Sequence, residues 1–431
     1  MTTLERRLGV RDAVVVGLGS MLGAGVFVVF APATTAAGGA GMLVALVLAG
    51  LVAFCNATSS ARLAARYPES GGAYVYGRER LGDLAGFLAG WAFVAGKTAS
   101  CAAMALTIGA YLWPGQARLV ALAAVVAVTA VNLRGVEKTA RATRWLVVVT
   151  LLVLAGVVAT GLAAGSPDLA ELTRLDGYRL DGYRLDGGGV GGGVKGVLAA
   201  AGLLFFAFAG YARVATLGEE VRDPQRTIPR AIPLALALVL VTYLMVGAVC
   251  LAVLGAEALA GSAAPLADVV RAAGLPQLAW AVRVGAGVAV TGVLLALLAG
   301  VARTTLAMAR RRDLPGPLAA VHPRHRVPHR AELAVAVAVV GLVSLGDVVA
   351  AIGFSSCTVL VYYAVANASA LTLGPEPGRR VPVRVVAAVG LVGCVGLALT
   401  LPVRSVLAGL AVLAVGLLGW AVSRSARRRP A

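Results

Sequence analysis

Charge is scarce in this sequence. Only 13% of its 431 residues are charged, where a soluble domain carries about a quarter. Apolar residues make up 59% of the chain, and they gather in runs longer than the ~18 residues needed to cross hydrocarbon. That pattern excludes a water-soluble globule and implies a polytopic, all-α membrane protein. Acid is scarcer than base, with 20 Asp and Glu against 38 Lys and Arg and a net charge of +18. In a soluble protein this excess suggests nucleic acid. Here nearly all the basic residues lie in the gaps between apolar runs, as in the cytoplasmic loops of membrane proteins, so no nucleic-acid partner is expected. The five cysteines, Cys55, Cys101, Cys250, Cys357 and Cys394, stand alone inside apolar runs without a Cys-x-x-Cys pair. They read as small packing residues. Histidine is limited to His322, His325 and His329, all in "AVHPRHRVPHR". Prolines interrupt that segment, arginines crowd it and no acidic or thiol partner is near, so a basic loop is expected there and no metal or other cofactor. Residues 1–11 are short and basic, but the run after them lacks a clear cleavage signal. There is no Gly-x-x-x-x-Gly-Lys-Ser/Thr, no His-Glu-x-x-His and no Gly-x-Ser-x-Gly. ATP-driven transport, zinc hydrolysis and a serine-nucleophile enzyme therefore have no engine in this chain. No recurring acidic or carbonyl filter points to a channel.

Twelve spans are expected, at about 12–37, 40–64, 84–112, 117–134, 144–165, 195–217, 229–255, 275–310, 331–346, 348–372, 383–400 and 403–422. The ninth and tenth are divided only by "SLGD". With the N-terminus in the cytoplasm, the inside segments hold 27 Lys and Arg and the outside segments 7. That asymmetry sets both termini inside, with a basic tail at 423–431. The expected localisation is the plasma (inner) membrane. The external loop 166–194 contains the repeat "RLDGYRLDGYRLDGGGVGGGV". Asp176, Asp181 and Asp186 suggest an ion loop at first sight, but a slipped-repeat insertion on the surface is the simpler expectation.

The first run carries "GLGSMLGAGVF", residues 17–27. Glycine is a poor helix former, and irregular backbone survives at membrane depth only where it lines a cavity or is buried in protein. Gly17, Gly19, Gly23 and Gly25 suggest a break with Leu22 to Gly25 unwound. The half-helix after such a break offers free N–H groups to a carboxylate, and the half-helix before it offers carbonyls to a cation. Small-residue packing between helices explains the same glycines equally well. A second candidate break shifts the balance. In "GLLFFAFAGYARVATLGEEVRDPQRTIPRAI", Gly210 interrupts the aromatic cluster Phe205, Phe206, Phe208 and Tyr211. Spans one and six are the pair that break in transporters built from two inverted five-helix halves.

These two motifs resemble the amino acid–polyamine–organocation superfamily of permeases. "RYPESGGAYVYGRERLGD", "NLRGVEKTAR" and "ARRRDLPGPLAAVHP" are similar to its loops after spans two, four and eight. The resemblance runs through nearly the whole chain. It implies a single transmembrane domain over 1–431 with a 5+5 inverted-repeat core: helices 1–5 at about 12–165, helices 6–10 at about 195–372, and helices 11–12 at about 383–422 on the periphery. It implies a secondary transporter of amino acids working by alternating access, with the substrate between the two broken helices. The carboxylate would meet the N–H groups of Gly23, Ala24 and Gly25. The ammonium would meet carbonyls near Ser20, Met21, Phe205 and Phe208, with Gly210 at the break and Phe208 and Tyr211 as gate or pocket. Import by proton symport, exchange and export through this fold all remain open.

None of the 20 acidic residues is placed at the middle of a span, so a cationic side chain would lack a counter-charge. Neutral amino acids are favoured, although carbonyls and cation–π contacts leave cationic substrates open. Two cations stand inside spans next to this region. Lys97 lies near the centre of span three and Arg213 follows the break in span six. Charges at such depth are functional candidates. Lys97 is the candidate for proton coupling, and Arg213 for the cytoplasmic vestibule with Glu219 and Glu220 as gating partners. Some members of the superfamily hold a lysine in span five, where this sequence has Thr150.

Overall fold

The computed structural model describes residues 9–67, 71–135, 140–163, 167–173, 193–211, 221–374 and 383–428. Among them, regular structure is helical. The first span consists of α1 (Val10–Met21), α2 (Ala24–Val28) and α3 (Phe30–Ala37). The second is α4 (Gly39–Arg66), joined to the first at Gly38, whose φ of 75° lies in the left-handed region that glycine adopts without strain. A short helix, α5 (Ala73–Leu81), precedes the third span, α6 (Asp83–Leu112). Spans four and five are α7 (Ala117–Leu133) and α8 (Ala140–Ala163). The sixth begins as α9 (Val194–Phe208) and the seventh is α10 (Pro224–Ala260), whose winding is interrupted at Gly255 (φ 72°, ψ 166°). After another short helix, α11 (Pro265–Ala272), comes span eight, α12 (Pro276–Arg310). The last four are α13 (His329–Leu345), α14 (Val348–Leu371), α15 (Val383–Thr400) and α16 (Val403–Arg428).

Eleven of these segments are long and apolar enough to cross a membrane. The expected ninth span, α13, has 17 residues, at the short end of the spanning range of about 17–25. "SLGD" does separate it from the tenth. Gly346 leaves the helix in extended backbone, and Asp347 caps α14, its carboxylate accepting the Ala350 N–H at 2.8 Å.

Helix packing repeats itself when the chain is shifted by five spans. Span one packs on span seven and span six on span two. Span one packs on span five and span six on span ten. Span three packs on ten and eight on five, three on four and eight on nine, three on nine and eight on four. Spans two and seven, three and eight, and four and nine meet one another. Each of these pairings is thus carried onto another, or onto itself, by exchanging 1–5 with 6–10. Because five is odd, the second half enters from the opposite side, which makes the repeat inverted. Helix α15 packs on α14, α4 and α9, and α16 on α14 and α6. Only 17% of the apolar window of α16 is buried, so this helix lies at the rim.

One polar cluster ties α5 to the neighbouring span ends. Arg78 donates to Asp313 at 2.8 Å and to Asp83 at 2.9 Å, and Tyr74 donates to Asp313 at 2.6 Å. Burial, then the hydrogen bond and charge of Asp313, raise the Tyr74 hydroxyl above the ordinary phenol value, so it remains a donor at neutral pH.

Candidate functional site

Regular winding of the first span stops at Met21. Leu22 (φ −74°, ψ 39°) and Gly23 (φ −98°, ψ −135°) leave the helix, and Ala24 resumes it. Val29 stays in the right-handed region and carries the chain into α3. Of the stretch Leu22 to Gly25, two residues are unwound, while Ala24 and Gly25 form the first turn of the second half-helix. The N–H groups of that turn have no intrahelical acceptor. The glycines here permit close approach. A Cβ on Gly25 would stand 2.5 Å from the Ala207 Cβ and 2.6 Å from its Cα, and one on Gly23 would stand 2.7 Å from Val293 of α12.

In span six, α-helical winding ends at Phe208 and passes into a 3-10 turn, Ala209–Tyr211. A Cβ on Gly210 would lie 2.1 Å from the carbonyl oxygen of Ser20 and 2.9 Å from the nitrogen of Met21. The two breaks are therefore in direct backbone contact, and only a residue without a side chain fits between them.

A helix that stops leaves carbonyls without partners, and here side chains from three other spans take them. Tyr243 of α10 donates to Met21 O at 2.5 Å and lies 3.1 Å from Ala207 O, so its single hydroxyl proton is shared between the two breaks. Ala209 O accepts from Lys97 Nζ of α6 at 3.3 Å and from the Tyr363 hydroxyl of α14 at 3.2 Å. The Phe205 carbonyl is taken by the Ala209 N–H. Ser20 folds its hydroxyl back onto Val16 O at 2.8 Å. Beyond the first break, Tyr111 of α6 donates to Phe27 O at 2.8 Å. The rings close around these bonds. Phe208 meets Tyr243 edge-on at 5.3 Å, Phe205 meets Tyr363 edge-on at 5.7 Å, and Tyr211 stacks on Tyr363 at 5.0 Å. Phe205, Phe208, Tyr211, Tyr243 and Tyr363 are all buried, and the Tyr211 hydroxyl has no hydrogen-bond partner among the described residues.

Ser20, Met21, Gly23, Gly25, Phe205, Phe208, Gly210, Tyr211 and Lys97 are thus assembled in one place, with Ala24 present through its backbone. Arg213, Glu219 and Glu220 lie outside the described residues, as do Asp176, Asp181 and Asp186 of the repeat. Sequence reasoning missed Tyr243, Tyr363 and Tyr111. Their signal was a phenol in an otherwise apolar run, as in "LVTYLMV", "VLVYYAV" and "TIGAYLW", since a buried hydroxyl needs a partner. Among the described residues, Arg62, Lys97 and Glu332 are the buried charges. Glu332 sits in the first turn of α13, a helix that packs against α6, α7 and α12. The charge recorded against the breaks is the ammonium of Lys97. The three histidines lie close together, with ring centroids 4.9 Å apart for His322–His325 and 5.5 Å for His322–His329. His322 Nδ1 is occupied by the backbone N–H groups of Arg324 and His325, at 3.3 and 3.2 Å.

The chain is similar to known transporters. The amino acid permease family matches residues 12–375. An uncharacterised transporter of Mycobacterium tuberculosis is 59% identical over 427 residues, covering 99% of this chain and 93% of the relative. The branched-chain amino acid permease of Bacillus subtilis is 27% identical over 351 residues, 76% of this chain and 72% of its own. A methylthioribose transporter of the same bacterium is 28% identical over 369 residues, 80% and 76% respectively.

Proposed function

This chain belongs to the amino acid permease family and is a transporter rather than an enzyme, and we propose that it carries neutral amino acids across the plasma membrane by alternating access, coupled to protons. The observation that supports this most is the contact between two interrupted helices whose loose backbone ends face one another. The half-helix beginning at Gly23, Ala24 and Gly25 supplies N–H groups and a positive dipole end for a carboxylate. The ends at Ser20–Met21 and Phe205–Ala209 supply carbonyls for an ammonium. In this arrangement a carbonyl of the second end already binds an ammonium, that of Lys97. The substrate's amino group competes with Lys97 and the tyrosine hydroxyls for these oxygens, and an amine displaced in this way is where a proton is taken up or released.

Neutral side chains follow from the surrounding groups. Phe205, Phe208 and Tyr211 offer ring surface, and the buried carboxylate of Glu332 belongs to α13, which packs against α6, α7 and α12. The orientation with both termini in the cytoplasm rests on the 27 to 7 division of basic residues.

Purified protein in liposomes tests the reading. A panel of twenty amino acids, putrescine and methylthioribose is offered under an inwardly directed proton gradient. We expect saturable accumulation of one or more neutral amino acids, and accumulation in Lys97→Met reduced by at least about tenfold while substrate exchange across the membrane persists. Gradient-driven accumulation by Lys97→Met at the wild-type level removes the coupling role. Uptake of putrescine, arginine or methylthioribose alone removes the neutral amino acid.

A further inference from the structure

Each half of the chain carries one short helix in the same place. Helix α5 (Ala73–Leu81) follows span two and α11 (Pro265–Ala272) follows span seven, two spans that the exchange of halves carries onto one another. With 9 and 8 residues, neither can cross hydrocarbon. Spans two and seven differ by an odd number, so the two short helices lie at opposite ends of the bundle. Both press an apolar face onto it: Val75 and Tyr76 of α5 are buried, as are Leu266, Val269 and Val270 of α11.

A tyrosine holds the first turn of each. The first N–H groups of a helix have no acceptor within it. In α5 the Ala73 N–H donates to the Tyr362 hydroxyl of α14 at 3.0 Å. In α11 the Leu266 N–H donates to the Tyr111 hydroxyl of α6. Both phenols are buried. The fit at α5 is close: Gly72 has a φ of 57° in the left-handed region, and a Cβ there would stand 2.2 Å from the Tyr362 oxygen. Each phenol also reaches toward a helix break. Tyr111 gives its own proton to Phe27 O at 2.8 Å, in the half-helix α2 that begins at the first break. Tyr362 adjoins Tyr363, ring centroids 5.0 Å apart, and the Tyr363 hydroxyl holds Ala209 O at the second break.

We propose that Tyr111 and Tyr362 are positioning residues for transport: Tyr111 latches α11 as the outer closure, and Tyr362 latches α5 as the inner closure. This rests on the alternating-access reading and adds to it the contacts that open and shut. Both latches are made in this structure. Alternating access needs them to release in turn, because a path open at both ends would leak. Removing one phenol oxygen takes a hydrogen bond from the closed form of that end alone. The population then moves toward the conformation in which that end is open and the other is shut. Each substitution is therefore felt at both ends of the bundle, with opposite signs. A phenol that only holds its own short helix in place affects one end.

Hydrogen–deuterium exchange of the full chain in nanodiscs, read by mass spectrometry without substrate, tests the proposal. Tyr362→Phe keeps the ring against Phe93 and Tyr363. Exchange in α5 is expected to speed about fivefold, the effect of one neutral hydrogen bond, while exchange in α11 slows. Tyr111→Phe keeps the ring against Phe27, and there α11 should speed by a similar factor while α5 slows. Exchange altered only in the variant's own short helix, in both helices with the same sign, or in neither overturns the proposal. If Tyr362→Phe does not fold, Gly72→Ala decides, since its methyl group pushes on the Tyr362 oxygen from the α5 side and should give the same reciprocal pattern. No substrate is present, so the two readings fail separately. Reciprocal exchange without amino acid uptake keeps the latches and removes the substrate, and uptake with one-ended exchange does the reverse.

Discussion

Single atoms decide whether the two breaks meet. At Gly210 a methyl group would occupy the position of the Ser20 carbonyl oxygen, 2.1 Å away. The obstacle is backbone rather than a mobile side chain, so one of the two segments must shift. Gly210→Ala is expected to lower stability by about 1–3 kcal/mol and to abolish uptake, as read by thermal denaturation and liposome flux of the same preparation. Alanine there with full transport would show that the breaks need not touch. Tyr243 makes a different kind of contact, a hydroxyl between Met21 O and Ala207 O. Tyr243→Phe keeps the ring against Phe208 and removes only the donor. The expected loss is about 1 kcal/mol in detergent unfolding, with weaker substrate binding because two carbonyls lose their fixed direction. An unchanged midpoint and unchanged affinity would make the hydroxyl incidental.

At the level of helices, the spans were legible because each is an apolar run of the right length bounded by glycine, proline or charge. Even "SLGD" divided α13 from α14 as expected, through an extended glycine and an aspartate cap. The expected end of span seven at 255 coincides with the interruption at Gly255, although helix persists to Ala260. Two short helices, α5 and α11, were not foreseen, since neither is apolar enough to stand out between spans. The first break was legible as four glycines, but its extent was not. Whether Ala24 and Gly25 unwind depends on how α2 lies on Ala207, a contact between residues 182 positions apart. The tyrosines that hold the broken ends looked like packing residues, because a phenol in an apolar run does not reveal which carbonyl it reaches. The cluster around α5 is similar, since Arg78 and Asp313 are joined only by the fold. With their side chains 19% and 5% exposed, the pair is largely desolvated. Asp313→Asn leaves Arg78 with Asp83 as its one carboxylate partner among the described residues, beside the Tyr74 hydroxyl, and we expect a loss of about 3 kcal/mol in unfolding free energy with substrate affinity unchanged. A midpoint equal to wild type would mean that α5 is held by its apolar face.

Over the whole molecule, the exchange of neighbours between spans 1–5 and 6–10 gives alternating access a physical basis. Two halves of like packing and opposite direction have two equivalent ways of leaning on one another, and the proposed site lies where their first helices break. Phe205, Phe208 and Tyr211 are buried, so in the proposed mechanism a substrate would reach the broken ends when one half moves against the other. The peripheral helices α15 and α16 take no part in that exchange, which leaves α16 free to face lipid. The central claim is that peptide groups at two helix breaks hold both ends of an amino acid, the N–H groups of one half-helix its carboxylate and the carbonyls of two others its ammonium. It is tested most directly by the melting temperature of the purified protein with its best amino acid, with that amino acid's methyl ester and with its N-acetyl derivative. Binding to the folded form alone raises the midpoint by mass action. The account predicts a rise with the free amino acid and none with either blocked form. A rise of the same size with the ester or the N-acetyl derivative would contradict it.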